Sequence, residues 1–186
     1  MIGIDEVGRG CWAGPLLVVA AKAKDKLPDG LKDSKLLTKK QRENTCALLA
    51  AVCEFGEGWV SCQEIDKIGL SQALTLGVKR ALLTLNAATD EKIILDGKFN
   101  YIPKQYTSAE CLIDADALIP LVSAAGIYAK VRRDEYMTKL KSLYPKYGFE
   151  NHVGYGTKAH RQAIIENGVI KGLHRLSFKP IQFLSI

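Results

Sequence analysis

Short runs of apolar, branched side chains alternate along this chain with longer stretches in which apolar residues recur every three or four positions. Met1 to Asp5 and Leu16 to Ala21 are of the first kind and read as buried strands. Between them Gly8, Gly10, Gly14 and Pro15 break any regular element. Pro28-Asp29-Gly30 marks a turn. Thr38 is placed to cap a helix running through Arg42, Cys46, Leu49 and Val52, with Gly56 and Gly58 ending it. Phe55 to Ser61 suits a third strand. From Ser71 the positions Leu74, Val78, Ala81, Leu82 and Leu85 step at helical spacing. Lys92 to Asp96 is a short strand ending in Asp96-Gly97, and Cys111-Leu112-Ile113 predicts another. Pro120 suits the first turn of a long helix through Ala124, Ile127, Val131 and Met137, closed before Pro145. Thr157 starts one more helix, ending at Asn167-Gly168. Strands first, then strands alternating with helices, predict an α/β layer: a mixed sheet covered by helices.

No repeat, low-complexity tract or Pro/Gly linker divides the 186 residues, a length that suits one domain. With 47% apolar and 25% charged residues the chain can build a packed core, which excludes a largely disordered protein. The longest strongly apolar run, Ala13 to Ala21, is half of the roughly 20 residues that cross a bilayer, so no membrane span is expected. Met1-Ile2-Gly3-Ile4-Asp5 has neither a positive leader nor a small-residue cleavage site, and a cytoplasmic location is expected. Cys11, Cys46, Cys53, Cys62 and Cys111 are irregularly spaced, without C-x-x-C or a Cys/His cluster, and read as ordinary reduced thiols. The net charge is +6, with eight of the 26 basic residues between Lys22 and Arg42 and eleven between Lys130 and Lys179. That balance favours an anionic partner, nucleic acid before membrane.

The acids stand out against this basic background. Asp5 and Glu6 end an otherwise apolar first strand, where two buried carboxylates would repel each other and lose hydration. A divalent cation removes both problems, and oxygen-only ligation selects Mg²⁺ or Mn²⁺. Adjacent strand residues face opposite sides, so both acids reach one site only if the chain leaves strand geometry, as Val7-Gly8-Arg9-Gly10 would allow. Asp96 repeats the arrangement at the tip of Ile93-Ile94-Leu95, although Asp-Gly is also an ordinary turn. Asp114 and Asp116 follow a third apolar run, and spacing does not choose between them. Acids at three strand tips of a basic protein suggest two metal ions about 4 Å apart acting on a phosphodiester.

Other segments suit the same substrate. Gly8-Arg9-Gly10 lets the backbone approach a sugar or phosphate closely. Lys32-Asp33-Ser34-Lys35 through Lys39, Lys40 and Arg42 is a basic helix entrance fit for phosphate contacts. Tyr144, Tyr147 and Tyr155 lie in or beside the Gly-rich segment 147–157, where an aromatic can stack on a sugar or base as well as pack. His152, His160 and His174 share no ligand spacing and read as supporting, capping or phosphate-contact residues.

Gly3-Ile4-Asp5-Glu6-Val7-Gly8-Arg9-Gly10 resembles the N-terminal signature of bacterial ribonuclease HII. Further blocks resemble that family, in family order: Asp33-Ser34-Lys35, Ile94-Leu95-Asp96-Gly97, Ser123-Ala124-Ala125, Ala129-Lys130-Val131-x-Arg133-Asp134, Gly154-Tyr155-Gly156-Thr157-x-x-His160 and His174-Arg175-x-Ser177-Phe178. The resemblance implies a ribonuclease H-like fold, a five-stranded mixed sheet flanked by helices, with a small helical C-terminal part over about residues 140–186 that packs on the rest and lines a substrate groove. It implies an endonuclease that cuts the RNA of RNA/DNA hybrids and cuts 5′ to single ribonucleotides in duplex DNA, leaving 3′-hydroxyl and 5′-phosphate ends. The sequence leaves the oligomeric state open, and with no exposed apolar stripe asking for a dimer a monomer is expected. Ribonucleotide removal from DNA would be its role. Carried over residue by residue, the resemblance makes Asp5, Glu6 and Asp96 ligands of two Mg²⁺ or Mn²⁺ ions. The fourth family acid lies fourteen positions before the lysine matched by Lys130, which selects Asp116. Gly8, Arg9 and Gly10 would read the 2′-hydroxyl and neighbouring phosphates, Tyr155 would stack on the following sugar, and Ser34 and Lys35 would bind substrate. A 2′-hydroxyl contact is what separates RNA from DNA at one nucleotide.

Three departures from the family pattern stand out. Asp114-Ala115 replaces the usual Lys-Gly before the fourth acid, Gly126 replaces a serine within the long helix at a cost in helix propensity, and Cys11-Trp12 replaces a common Pro-Leu. The competing readings are the sister ribonuclease HIII, disfavoured because the chain opens directly on the catalytic strand and carries Arg9 where lysine is usual; a transposase-like strand transferase on the same fold; and an inactive nucleic-acid-binding module.

Overall fold

The structure, a computed structural model, describes residues 1–31 and 37–184. The order is β1 (Ile2–Val7), β2 (Leu16–Ala23), α1 (Lys39–Val52), β3 (Cys53–Val60), α2 (Cys62–Ile68), α3 (Leu70–Thr84), β4 (Ile93–Asp96), β5 (Ala109–Leu112), α4 (Ala115–Leu118), α5 (Pro120–Lys139), α6 (Phe149–His152), α7 (Lys158–Asn167) and α8 (Lys179–Leu184). The five strands form one sheet in the order β3-β2-β1-β4-β5. The β1–β2 and β2–β3 pairs are antiparallel, whereas β1–β4 and β4–β5 are parallel. The mixed α/β sheet expected from the pattern is the one found.

Because side chains alternate across a sheet, the apolar strands divide into two faces. Ile2, Ile4, Leu16, Val18, Ile93 and Leu95 pack under α2 and α3 with Ile65, Leu74, Val78 and Leu82. Leu17, Val19 and Ala21 pack under α1 and α5 with Leu49, Leu121, Ala124 and Ile127. A third core, holding Ala13, Met137, Tyr147, Phe149, Ile164 and Leu173, joins the C-terminal helices to the end of α5. The helix starts follow local rules. Thr38 Oγ1 accepts from Gln41 N while Gln41 Oε1 accepts from Thr38 N, a reciprocal cap for α1. Pro120 sits in the first turn of α5, where its missing N–H leaves no partner wanting.

Several boundaries differ from the sequence reading. Gly56 and Gly58 do not end α1. The helix gives way at Cys53 directly to β3, and both glycines lie inside that strand. A Cβ at either would run into the backbone carbonyls of Gly77 or Ala81 on α3, so the two glycines let a helix lie close on the sheet. β5 stops at Leu112, leaving Ile113 64% exposed. The short helix α2 was not anticipated, although Ser61 and Glu64 form the reciprocal cap that announces it. Among the described residues no helix is long and apolar enough to cross a membrane.

Candidate active site

The site begins with the way α5 lies on β1. Gly3 and Asp5 share the strand face beneath that helix. A Cβ at Gly3 would strike the backbone of Leu121 and Val122, and one at Gly126 would strike Asp5 Oδ2. Two strand residues advance about 6.7 Å, and the same length of helix takes about four and a half residues. The two glycine contacts are therefore in step, one turn apart. Asp5 is pressed beneath the helix, and Ile2 and Ile4 hold it there, contributing roughly 1.5–3 kcal/mol each by burial.

Burial raises the Asp5 carboxyl well above the ordinary carboxylate range, and the neighbouring charge of Glu6 raises it further. Asp96 and Asp116 add smaller pushes in the same direction, opposed by the hydrogen bond that Glu6 N donates to Asp5 Oδ1 at 2.7 Å. Glu6, Asp96 and Asp116 thus all act on Asp5. Asp96 stands at the end of β4, its Oδ1 accepting from Ala115 N at 2.8 Å. Asp116 is buried on α4, the single turn that follows the left-handed Asp114.

The chain does not leave strand geometry at Asp5 and Glu6, contrary to the sequence expectation. Pairing with β2 continues through Val7↔Leu17, but pairing with β4 stops at Ile4↔Leu95. The tip of β1 is therefore open along one flank, and both carboxylates line one cavity of about 280 Å³. Gly8, Arg9, Gly10, Asp96 and Tyr155 line it too, with Arg42, Gly126 and Lys130. Asp116 does not line this cavity and reaches the group through its charge on Asp5. Ser34 and Lys35 lie outside the described residues.

Among the described residues no three His, Cys, Asp or Glu side chains are gathered tightly enough to hold a metal ion as they stand. The donor chemistry nevertheless fits a hard divalent cation. The set is made of carboxylate oxygens only, and burial together with the charges of Glu6, Asp96 and Asp116 raises the Asp5 carboxyl above the usual range.

Two arginines that the sequence reading gave no role form the back of the cavity loop. Arg133 and Arg175 are fully buried. Arg133 donates to Pro15 O at 2.8 Å, Val153 O at 2.9 Å and Ala13 O at 3.1 Å. Arg175 donates to Arg9 O at 2.9 Å and twice to Gly14 O, at 3.1 and 2.9 Å. All six bonds end on backbone carbonyls, so two guanidinium charges sit behind the Gly8-Arg9-Gly10 loop. Gly8 has φ +86°, and a Cβ there would strike the Arg133 guanidinium, which is why this turn is glycine. No local signal in the sequence marks them, because both blocks carry other charged or polar residues beside the arginine.

The opposite wall carries Tyr155. Trp12 N and Ala13 N donate to Gly154 O at 2.8 and 3.2 Å, so the loop after β1 is bonded to the loop before α7. Tyr155 is 39% exposed, with Lys130 Nζ 5.6 Å from its ring centre and bonded to Asp134 at 2.9 Å. Burial of part of the ring pushes the Tyr155 hydroxyl up to about 12. Tyr147 is instead a core residue, stacked on Phe149 at 5.5 Å with its hydroxyl donating to Gly168 O, and Tyr144 packs edge-on against both. His152, His160 and His174 are buried in one aromatic cluster, which rules out the phosphate-contact role considered for them.

Comparison with known proteins shows the family and the fold. The family model described as Ribonuclease HII matches residues 2–181. A ribonuclease HII of Dichelobacter nodosus (strain VCS1703A) is 42% identical over 189 residues, covering 98% of this chain and 95% of that protein. The crystal structure of the ribonuclease H2 from Pyrococcus horikoshii OT3 superposes with a TM-score of 0.78 at 29% identity, covering 99% of this chain and 96% of that one. Bst-RNase HIII in complex with Mn²⁺ shares the fold, with a TM-score of 0.75 at 21% identity over 98% of this chain and 68% of that one.

Proposed function

This chain belongs to the ribonuclease HII family and is a ribonuclease H of type 2, and from that premise we propose that it cuts the RNA strand of RNA/DNA hybrids and cuts 5′ to single ribonucleotides embedded in duplex DNA. Removal of misplaced ribonucleotides from DNA is the corresponding role. Residues 1–186 act as one catalytic domain, whose helical part from about 140 onward lines the substrate groove through Tyr155. The observation that carries the reading is the joining of Asp5, Glu6 and Asp96 to Gly8-Arg9-Gly10 and Tyr155 around one cavity.

Asp5, Glu6, Asp96 and Asp116 would hold a pair of Mg²⁺ or Mn²⁺ ions. When bound, such ions supply an activated water and charge neutralisation at the leaving oxygen. The remaining work falls to the chain's own groups. Arg9 and the backbone amides of the Gly8-Arg9-Gly10 turn grip the phosphates beside the cut, helped by the two buried guanidinium charges behind them. The same turn meets the 2′-hydroxyl at backbone level, where a Cβ would intrude. Tyr155 stacks on the next sugar. The oxygen of water would bond to phosphorus as the P–O3′ bond breaks and the water proton would pass to the 3′ oxygen, so the upstream fragment ends in a 3′-hydroxyl and the phosphate stays on the 5′ oxygen of the downstream nucleotide.

The test is incubation with a DNA duplex carrying one ribonucleotide, with Mg²⁺, Mn²⁺ or chelator, and mapping of the product ends. A metal-dependent cut 5′ to the ribonucleotide is expected. Duplex binding without any metal-dependent cut would identify a binding module instead.

A further inference from the structure

His160 and His174 are polar side chains that are fully buried behind Tyr155, and the hydrogen bonds around them allow one arrangement of protons only. Ile170 N can only donate, and it donates to His174 Nδ1 at 2.8 Å. His174 therefore carries its proton on Nε2, which faces His160 Nε2 at 3.2 Å. Two N–H groups cannot face each other, so His160 accepts there and carries its own proton on Nδ1. That proton points at Tyr155 O, 2.9 Å away. Donors thus run in one direction, from Ile170 through His174 and His160 to the Tyr155 carbonyl, and such chains strengthen each bond in turn. Burial keeps both rings neutral, lowering each to about 4.

The receiving carbonyl sits at a corner that needs holding. Val153 has φ +43°, unusual for a β-branched residue, and Gly154 has φ +87°. Tyr155 N donates to His152 O at 2.9 Å, and Tyr155 O also accepts from Thr157 N at 2.8 Å. Arg133 holds Val153 O and the Trp12–Ala13 amides hold Gly154 O, while at the Tyr155 carbonyl itself the side-chain partner is His160.

We infer that His160, oriented by His174, is a positioning residue that fixes the Tyr155 backbone and thereby the angle of the Tyr155 ring over the cavity, setting how strongly the enzyme prefers a lone ribonucleotide to a continuous hybrid. The inference rests on the reading of Tyr155 as the residue that stacks on the sugar beside the cut.

The readout is the ratio of kcat/KM on a DNA duplex with one ribonucleotide to kcat/KM on a long RNA/DNA hybrid. A merely structural role would lower both and leave the ratio unchanged. His160→Leu is expected to lower the ratio about five- to tenfold, the scale of one ordinary hydrogen bond. His160→Asn, whose amide can donate from the Nδ1 position, is expected to restore most of it. In a Tyr155→Ala background His160→Leu should change the ratio no further. If Tyr155→Ala itself leaves the ratio unchanged, the role given to Tyr155 fails and the inference with it. If Tyr155→Ala lowers the ratio and His160→Leu does not, the inference alone is overturned. Should His160→Leu not fold, imidazole ¹⁵N shifts of the unmodified protein decide: a proton on Nδ1 of His160 and Nε2 of His174 is expected, and the reverse pattern overturns the proposal.

Discussion

The tip of β1 and the histidine–arginine cluster beneath Tyr155 are both buried and both polar, yet they treat charge in opposite ways. At the tip, Asp5 is buried beneath α5 among other carboxylates, so that burial first and their like charge second raise it well above its ordinary range. In the cluster, Arg133 and Arg175 spend six hydrogen bonds on backbone carbonyls, and the histidines stay neutral in a directed chain. The first region gathers like charges around a buried carboxyl, a balance that bound cations would change. The second is complete as it stands and serves as the rigid mount for the loops around the cavity. An electrostatic conflict placed on a well-packed frame is what a site for hard cations requires.

The comparison breaks most visibly by removing a carboxylate charge. Asp96→Asn keeps an oxygen for Ala115 N but takes away a ligand, and cleavage should fall by at least about a hundredfold, since metal-borne charge stabilisation is worth several kcal/mol. Duplex binding by gel shift should persist, and near-normal cleavage would remove Asp96 from the ligand set. Asp5→Asn should abolish cleavage as well but raise stability by roughly 1–2 kcal/mol in urea unfolding without metal, because a buried charge among like charges is relieved. A variant less stable than the parent would contradict the reading of the tip as strained.

The two regions also differ in pH response. His160 and His174, lowered to about 4 from an ordinary 6.5, contribute stability that is present above 6.5 and lost as pH falls through about 4. The loss is roughly 3 kcal/mol at most for each ring, at about 1.4 kcal/mol per pKa unit. Asp5, raised instead, contributes stability present below the ordinary 3.8 and lost as pH rises through its folded value. The two trends oppose each other on acidification. Asp5→Asn should therefore lose stability more steeply than the parent between pH 6.5 and 4.5, and parallel profiles would show that Asp5 is not raised. The smallest effect belongs to the cavity wall. Tyr155→Ala should slow cutting at a lone ribonucleotide several-fold more than at a continuous hybrid, about the value of one stacked base or sugar, whereas equal losses would mean that Tyr155 only packs.

Much of this was legible in the chain before any coordinates, for reasons that differ by element. β1, β2 and β4 are apolar and short, α3 and α5 carry unbroken helical periods, and Thr38, Pro120 and Thr157 mark helix starts by local chemistry. Gly56 and Gly58 misled because their purpose is a contact with α3, remote in sequence, and not a local turn. Gly126, expected to weaken a helix, proves to make room for Asp5, again a partner over a hundred residues away. The acids Asp5, Glu6 and Asp96 were readable because charge at the end of an apolar strand is locally anomalous. Asp116 was not separable from Asp114 by spacing, and the structure buries Asp116 while leaving Asp114 exposed at a left-handed turn. Arg133, Arg175 and the histidine chain stayed hidden, since their partners are carbonyls that any sequence offers everywhere.

Thermal unfolding with and without millimolar Mn²⁺, for the parent protein beside Asp96→Asn, tests the cation site most directly. A ligand that binds only the folded state raises Tm by mass action. The parent should gain stability with the cation and the variant should not. An equal gain in both, or none in the parent, would contradict the claim that Asp96 and its neighbouring carboxylates together hold divalent cations.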